Sequence, residues 1–197
     1  MQLSSSQLRS TLLGAARASF IALLVFASAP ARAQMDGMQM PSAKPAAPLA
    51  SEAATASAAL GDATIEIHYN TPHMRGRTIM GALVPYGKVW RTGANPATTL
   101  ITSAPLMFGN LLVPAGTHTL YTLPSADTWQ LILNNQTGQW GTEYKPEMDL
   151  GRVTMKSTTM TTPQEVMSLT FEHTTPNSTE LHVRWETTDR YVTITKP

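Results

Sequence analysis

The chain has 197 residues, no cysteine and a formal net charge of +1 with histidine neutral. The lack of cysteine excludes disulfides, thiol nucleophiles and cysteine–zinc sites, so stability must come from a hydrophobic core. The near-neutral charge argues against non-specific nucleic-acid binding, which requires a strongly basic domain.

Residues 1–33 have the three parts of a secretory signal peptide. A basic stretch precedes the apolar run Ala18–Ala29, and Ala31-Arg32-Ala33 forms an A-x-A cleavage signal. An uncleaved anchor is the alternative, but the run is shorter than the roughly 20 residues that span a bilayer. We predict cleavage before Gln34 and a periplasmic or secreted protein that no longer contacts the membrane. Cleavage removes three of the 14 basic residues and no acid, which leaves 11 basic against 13 acidic residues and a net charge of −2.

Residues 34–58 are rich in alanine, proline and methionine and have no apolar periodicity, which predicts a disordered linker. Three methionines fall close together there, at Met35, Met38 and Met40. Thioethers are soft ligands suited to Cu(I), so copper handling by this tail is one alternative function. A flexible tail with chance methionines is the other interpretation, and we predict no other metal site and no cofactor.

Residues 59–197 show frequent turn signals and short stretches in which apolar and polar residues alternate. The clearest alternations are Ile65–Tyr69, Trp129–Leu133, Met167–Phe171 and Leu181–Trp185, and Gly109-Asn110 is suited to a hairpin turn. About ten short strands predict a single all-β domain, an antiparallel β-sandwich in which those odd-numbered residues share a core. A closed or partly open β-barrel is the alternative.

The most unusual stretch is Val84–Asn95, which reads Val-Pro-Tyr-Gly-Lys-Val-Trp-Arg-Thr-Gly-Ala-Asn. No acid occurs between Glu66 and Asp127, whereas Arg75, Arg77, Lys88 and Arg91 all lie there. This local positive charge indicates either a site for an anion or cations that pair with acids of later strands.

We predict that the central stretch forms a concave site for a small polar or anionic ligand, with carbohydrate as one possibility. Arg91 offers a planar fork of donors, and Asn95 offers both a donor and an acceptor. Trp90 has a second interpretation as a core residue, because tryptophan is highly buried on average. The predicted site residues are Arg77, Tyr86, Trp90, Arg91 and Asn95, together with Tyr121, Trp140 and Tyr144.

Complete catalytic signatures are missing: the chain has no G-x-S-x-G elbow and no H-E-x-x-H motif. A hydrolase-type enzyme is still an alternative if the fold joins His118 or His68 to an acid in a cleft. His173 has the parity of the core-facing Phe171, and His182 has the opposite parity. We therefore expect these two histidines to lie on opposite faces, where they cannot share a metal.

Six short motifs together resemble the bacterial family called domain of unknown function 2911. They are Tyr69–Pro72, Gly76-Arg77, Val84–Asn95, Ala97–Thr99, Pro114–Gly116 and the segment from Trp129 to Gln139-Trp140-Gly141. The resemblance covers roughly residues 60–195 and implies an exported β-rich domain, without an established activity, cofactor or catalytic residue. The first motif departs from the family's usual Tyr-Ser-Arg-Pro-like run, because Asn70 and Thr71 occupy its middle positions.

Overall fold

The structure is a computed structural model, and it describes residues 50–197. The predicted signal peptide, most of the predicted linker and its three methionines lie outside the described residues. Within residues 50–197, no helix is long and apolar enough to cross a membrane. The described elements are β1 Glu52–Leu60, β2 Ala63–Thr71, β3 Thr98–Thr102, β4 Leu106–Phe108, β5 Leu111–Val113, β6 Gly116–Leu123, β7 Gln130–Asn134, a 3₁₀ turn Pro146–Met148, β8 Asp149–Thr154, β9 Lys156–Glu172 and β10 Ser178–Thr195.

The strands form two sheets, one of six strands in the order β1-β2-β3-β6-β7-β8 and one of four in the order β5-β4-β10-β9. Every pairing between these neighbouring strands is antiparallel. One hydrophobic core contains buried residues of both sheets, and neither sheet closes on itself. The predicted antiparallel β-sandwich is therefore confirmed, and the barrel alternative is not adopted.

The predicted start of the domain is wrong. Residues 52–58, predicted as part of a disordered linker, belong to strand β1. Glu52–Leu60 pairs with β2 along its whole length, and Gly61-Asp62 forms the two-residue turn between the two strands. Alanines 54, 56 and 58 alternate toward the core, with Leu60 fully buried on the same face. Their small side chains give a weak hydrophobic signal, so the alternation resembles a linker in the sequence.

The core is filled by the odd-numbered residues of the four predicted alternations. Nearly all of these side chains are buried, and Phe171 is half-buried at the margin of the core. Trp129 and Trp185 are the largest of the fully buried side chains. The Gly109-Asn110 hairpin also forms, since Phe108 pairs with Leu111. At about 25 cal/mol per Å² of apolar surface, burial of these side chains is the main favourable contribution to folding.

Strands β9 and β10 are longer than predicted, and the prediction that His173 faces the core is wrong. His173 has φ of 50° just after β9, which turns its side chain to the solvent instead of the core. His182 lies on the outer face of β10 as its parity predicts, but it is only 3% exposed. A bend at Glu186, where φ is 55°, returns Asp189 to within 2.8 Å of the His182 ring.

Candidate functional site

A cavity of about 340 Å³ opens beside the central stretch, at the end of the sandwich where β1 begins and β2 ends. This volume lies at the lower end of the range typical of small-molecule sites. Its polar lining comes mainly from basic side chains, and among residues 50–197 no aspartate or glutamate contributes to it. The lining includes His73, Arg75, Arg77, Trp90, Arg91, Asn95 and Trp185.

The central stretch is fixed to the six-stranded sheet by a short bridge at Trp90. Its backbone exchanges two hydrogen bonds with Thr122 of β6, at 2.8 and 2.9 Å. Thr92 follows with φ of 51°, a strained conformation for a β-branched residue. Its hydroxyl donates to the Thr122 hydroxyl at 3.0 Å, and its carbonyl accepts from Thr98 at 3.0 Å. These buried hydrogen bonds keep Thr92 in its strained conformation. Backbone strain of this kind is found most often at functional sites.

Arg91 is the half-buried cation of this cavity. Its stem passes directly over Gly141: a Cβ on that glycine would lie 1.9 Å from Arg91 Cδ and 2.7 Å from the Asn95 carbonyl. Asn95 has φ of 60°, and its carbonyl accepts from the Gly141 amide at 3.2 Å. Close approach of the two loops therefore requires glycine at this position.

The guanidinium of Arg91 has no acidic partner among residues 50–197. Its Nε is buried and makes no hydrogen bond. Burial without a compensating charge lowers the pKa of Arg91 below its ordinary value. A buried donor of this kind costs free energy until an acceptor reaches it.

The other basic residues of the cavity contact carbonyl oxygens or an acid that lies outside the cavity lining. Arg77 donates to the carbonyls of Met74 and His73, at 2.9 and 2.7 Å. Arg75 donates to the Ala50 carbonyl at 2.9 Å. His73 is 2.9 Å from Glu52, which does not line the cavity. In the described part of the chain, none of these arginine side chains is neutralised by an acid of a later strand.

Trp90 has both of the roles considered for it. Its ring stacks on Trp185 with centroids 5.9 Å apart and meets the edge of Trp129 at 6.3 Å. Its indole nitrogen donates to the Gly93 carbonyl at 3.2 Å. The ring is half-buried, so it extends the core and also forms an apolar wall of the cavity.

Four predicted site residues thus lie together, namely Arg77, Trp90, Arg91 and Asn95, and the other four lie elsewhere. Tyr86 is 44% exposed and packs against Gly81 instead of the cavity. Trp140 is 51% exposed beside the backbone that supports Arg91. Neither residue lines the cavity.

Tyr121 and Tyr144 belong to a small apolar cluster on the outer face of the six-stranded sheet. Their rings meet edge to face at 5.0 Å, and the Tyr121 hydroxyl donates to the Glu143 carbonyl at 3.0 Å. Tyr144 donates to Asp149 at 2.6 Å. Burial and this carboxylate raise the pKa of Tyr144 to about 12. The two tyrosines anchor a loop and do not reach the cavity.

Three lining residues are not among the predicted site residues, namely His73, Arg75 and Trp185. Arg75 belongs to the acid-free stretch, which was an available signal. Trp185 lines the cavity next to Trp90, which stacks on it, and no sequence pattern reports that contact.

The histidines considered for hydrolysis do not line this cavity. His118 is buried with its ring nitrogens 3.0 Å from the Pro114 carbonyl and 3.2 Å from Asn135 Oδ1. His68 is exposed beside Glu66, at 2.8 Å. His68 also lines a separate cavity of about 320 Å³, but no acid of residues 50–197 contributes to its lining, so this cavity does not join a histidine to an acid as the hydrolase alternative requires.

The comparisons with known proteins identify a family and no individual relative. No curated protein and no solved structure shows significant similarity to the chain. A family model described as "Protein of unknown function (DUF2911)" matches residues 51–194, which is most of the chain and extends from before β1 to the penultimate residue of β10. The chain therefore belongs to the DUF2911 family of proteins of unknown function.

Proposed function

We propose that the protein binds a small anionic ligand, bearing a carboxylate or phosphate group, in the cavity beside the central stretch. The observation that carries this proposal is Arg91, a half-buried guanidinium with an unpartnered Nε and no acid beside it. An anion in the cavity would supply the missing charge and the missing acceptor together. Charge-assisted hydrogen bonds of this kind are the strong ones in proteins.

The rest of the lining supports an anion more than a neutral sugar. Arg75 and Arg77 add positive charge at the rim, and no acid of the lining opposes it. Trp90 gives an apolar surface against which a ring or chain of the ligand can pack. A phosphorylated or carboxylated sugar would use all of these features, whereas an uncharged sugar would leave Arg91 uncompensated.

The proposal is tested by measuring heat of binding and melting temperature with phosphate, simple carboxylates, sugar phosphates and uncharged sugars. We expect an anion of this panel to bind and raise the melting temperature. Arg91→Lys keeps the charge but loses the fork, so binding should weaken about tenfold; Arg91→Ala should weaken it by about a hundredfold.

Two further variants separate a binding role from a structural one. Gly141→Ala keeps the guanidinium but displaces both its stem and the Asn95 carbonyl, so it should weaken binding as Arg91→Lys does, and its own melting temperature shows whether the fold is retained. Lys88→Ala removes a cation of the same stretch that does not line the cavity, so binding should be unchanged. The proposal fails if no anion binds, or if Arg91→Ala binds the anion as tightly as the wild type. It also fails if both Arg91 variants unfold the protein, since Arg91 would then be a structural residue.

We also propose that the protein functions in the periplasm or medium. The support is the basic start, the apolar run Ala18–Ala29 and Ala31-Arg32-Ala33. Mass spectrometry of protein recovered outside the cytoplasm should give a mature N-terminus at Gln34. A chain that still starts at Met1 in the membrane fraction would contradict this proposal.

A further inference from the structure

A second cluster of polar groups lies on the outer face of the four-stranded sheet, where β9 ends and β10 begins. His173, Glu180 and His182 each offer one ligand atom, and these three atoms lie within 4.8 Å of one another. His173 Nδ1 is 2.7 Å from Glu180 Oε2, which is 3.5 Å from His182 Nε2. Three ligand atoms on a tetrahedral ion with bonds of about 2.0–2.1 Å are about 3.3 Å apart, so the two spacings that involve Glu180 need only small adjustment.

The His182 ring is held in the orientation that a metal ligand requires. Its Nδ1 donates to Asp189 Oδ1 at 2.8 Å, and its face stacks on Tyr191 with centroids 4.9 Å apart. Arg184 approaches the same nitrogen at 3.3 Å, but the shorter contact with the carboxylate sets the tautomer. A carboxylate on the far nitrogen is the usual support of a metal-bound histidine, because it fixes the ring and makes the free nitrogen more basic.

The remaining nitrogen of this ring points at the cluster and has no hydrogen-bond partner. His182 is 3% exposed, and its Nε2 is buried and unpartnered. The nearest acidic atoms are Glu180 Oε2 at 3.5 Å and Glu172 Oε2 at 3.8 Å. In the neutral ring that donates from Nδ1 to Asp189, which is the form that binds a metal, Nε2 carries a lone pair that faces carboxylate oxygens. A cation between them would turn this repulsion into shared coordination.

The charged groups of the cluster also carry a net negative charge, which a divalent cation would offset. Glu172, Glu180 and Asp189 give three negative charges, and Arg184 gives one positive charge. With both histidines neutral, the cluster carries a charge of −2. Arg184 occupies both oxygens of Glu172, which leaves Glu180 as the carboxylate free to coordinate. His173 is 76% exposed on its side chain, so the cluster is open to entry from the solvent.

We propose that His173, Glu180 and His182 bind a divalent transition-metal ion, and we assign it as Zn²⁺. Two imidazole nitrogens and one carboxylate are a common ligand set for zinc with a fourth position open to water or a further ligand. None of these three residues lines the cavity described above, so this site does not depend on the proposed anion binding.

The proposal is tested with the full chain stripped of metal by a chelator and then titrated with Zn²⁺ by calorimetry and thermal melting. We expect one ion to bind per chain and the melting temperature to rise with zinc concentration. Co²⁺ should bind in its place with the strong visible absorption of a tetrahedral site.

Variants then locate the site. His173→Asn keeps a residue that tolerates positive φ, and it should weaken zinc binding at least tenfold without changing metal-free stability. Glu180→Gln should weaken it similarly. His68→Asn is the matched control, since His68 is also exposed beside a glutamate but lies outside the cluster, and it should leave affinity unchanged. The proposal is overturned if the wild type shows no zinc-dependent change, or if His173→Asn and Glu180→Gln bind zinc as tightly as the wild type.

Discussion

Replacing Trp185 with alanine should lower the free energy of unfolding by about 3–5 kcal/mol, the cost typical of removing a large aromatic from a core. The side chain is 1% exposed and stacks on Trp90 at 5.9 Å. Its indole nitrogen donates to the Glu165 carbonyl at 3.1 Å, so the change also leaves a backbone acceptor without its partner. Denaturant unfolding measures the loss.

Trp140→Ala is the matched control for this experiment, because it removes the same side chain from a position that is 51% exposed. We expect that variant to unfold within about 1 kcal/mol of the wild type. If Trp185→Ala costs no more than Trp140→Ala, Trp185 does not hold the two sheets together and the core described here is wrong.

Replacing Asp189 with alanine should also be strongly destabilising, by about 3–5 kcal/mol, because it breaks a buried ion pair from one side. Its carboxylate is 1% exposed and accepts from His182 Nδ1 and from Arg184 Nε, both at 2.8 Å. Removing it leaves two donors without their acceptor. The measurement is unfolding by denaturant in the presence of a chelator, so that metal binding does not enter.

Asp127→Ala serves as the control, since it removes an exposed acid with no partner in the described part of the chain. That change should lie within about 0.5 kcal/mol of the wild type. A cost for Asp189→Ala as small as that of the control would show that the carboxylate does not stabilise the bend in β10.

The sequence predicts the parts of this fold that depend on local alternation. Ile65–Tyr69 and Leu181–Trp185 identify buried faces because a side-chain period of two is a property of any strand. The pattern fails in β1, where Ala54, Ala56 and Ala58 lie on the buried side but are too small to be distinguished from a linker. It fails again at His173, where a positive φ reverses the direction of the side chain.

The candidate site is less predictable than the core because its members are far apart in the chain. The acid-free stretch predicts that Arg77 and Arg91 belong to a site, but it does not report that Gly141 lies under Arg91. We predicted that Tyr121 and Tyr144 share the site with Trp90. They pack against each other on an outer face and not beside Trp90. Only the tertiary structure shows which polar groups lack a partner.

The bend at Glu186 changes which residues of β10 face the core. Core residues before the bend are odd-numbered, up to Trp185, and those after it are even-numbered, Val192 and Ile194. On the opposite, outer face the parity reverses in the same way, from the even-numbered His182 before the bend to the odd-numbered Asp189 after it. Without this reversal Asp189 would face the core, and Val192 and Ile194 would face outward. Glu186 itself accepts from the amides of Ile79 and Met80. Core packing by the end of β10 and the carboxylate that accepts from His182 therefore depend on the same bend.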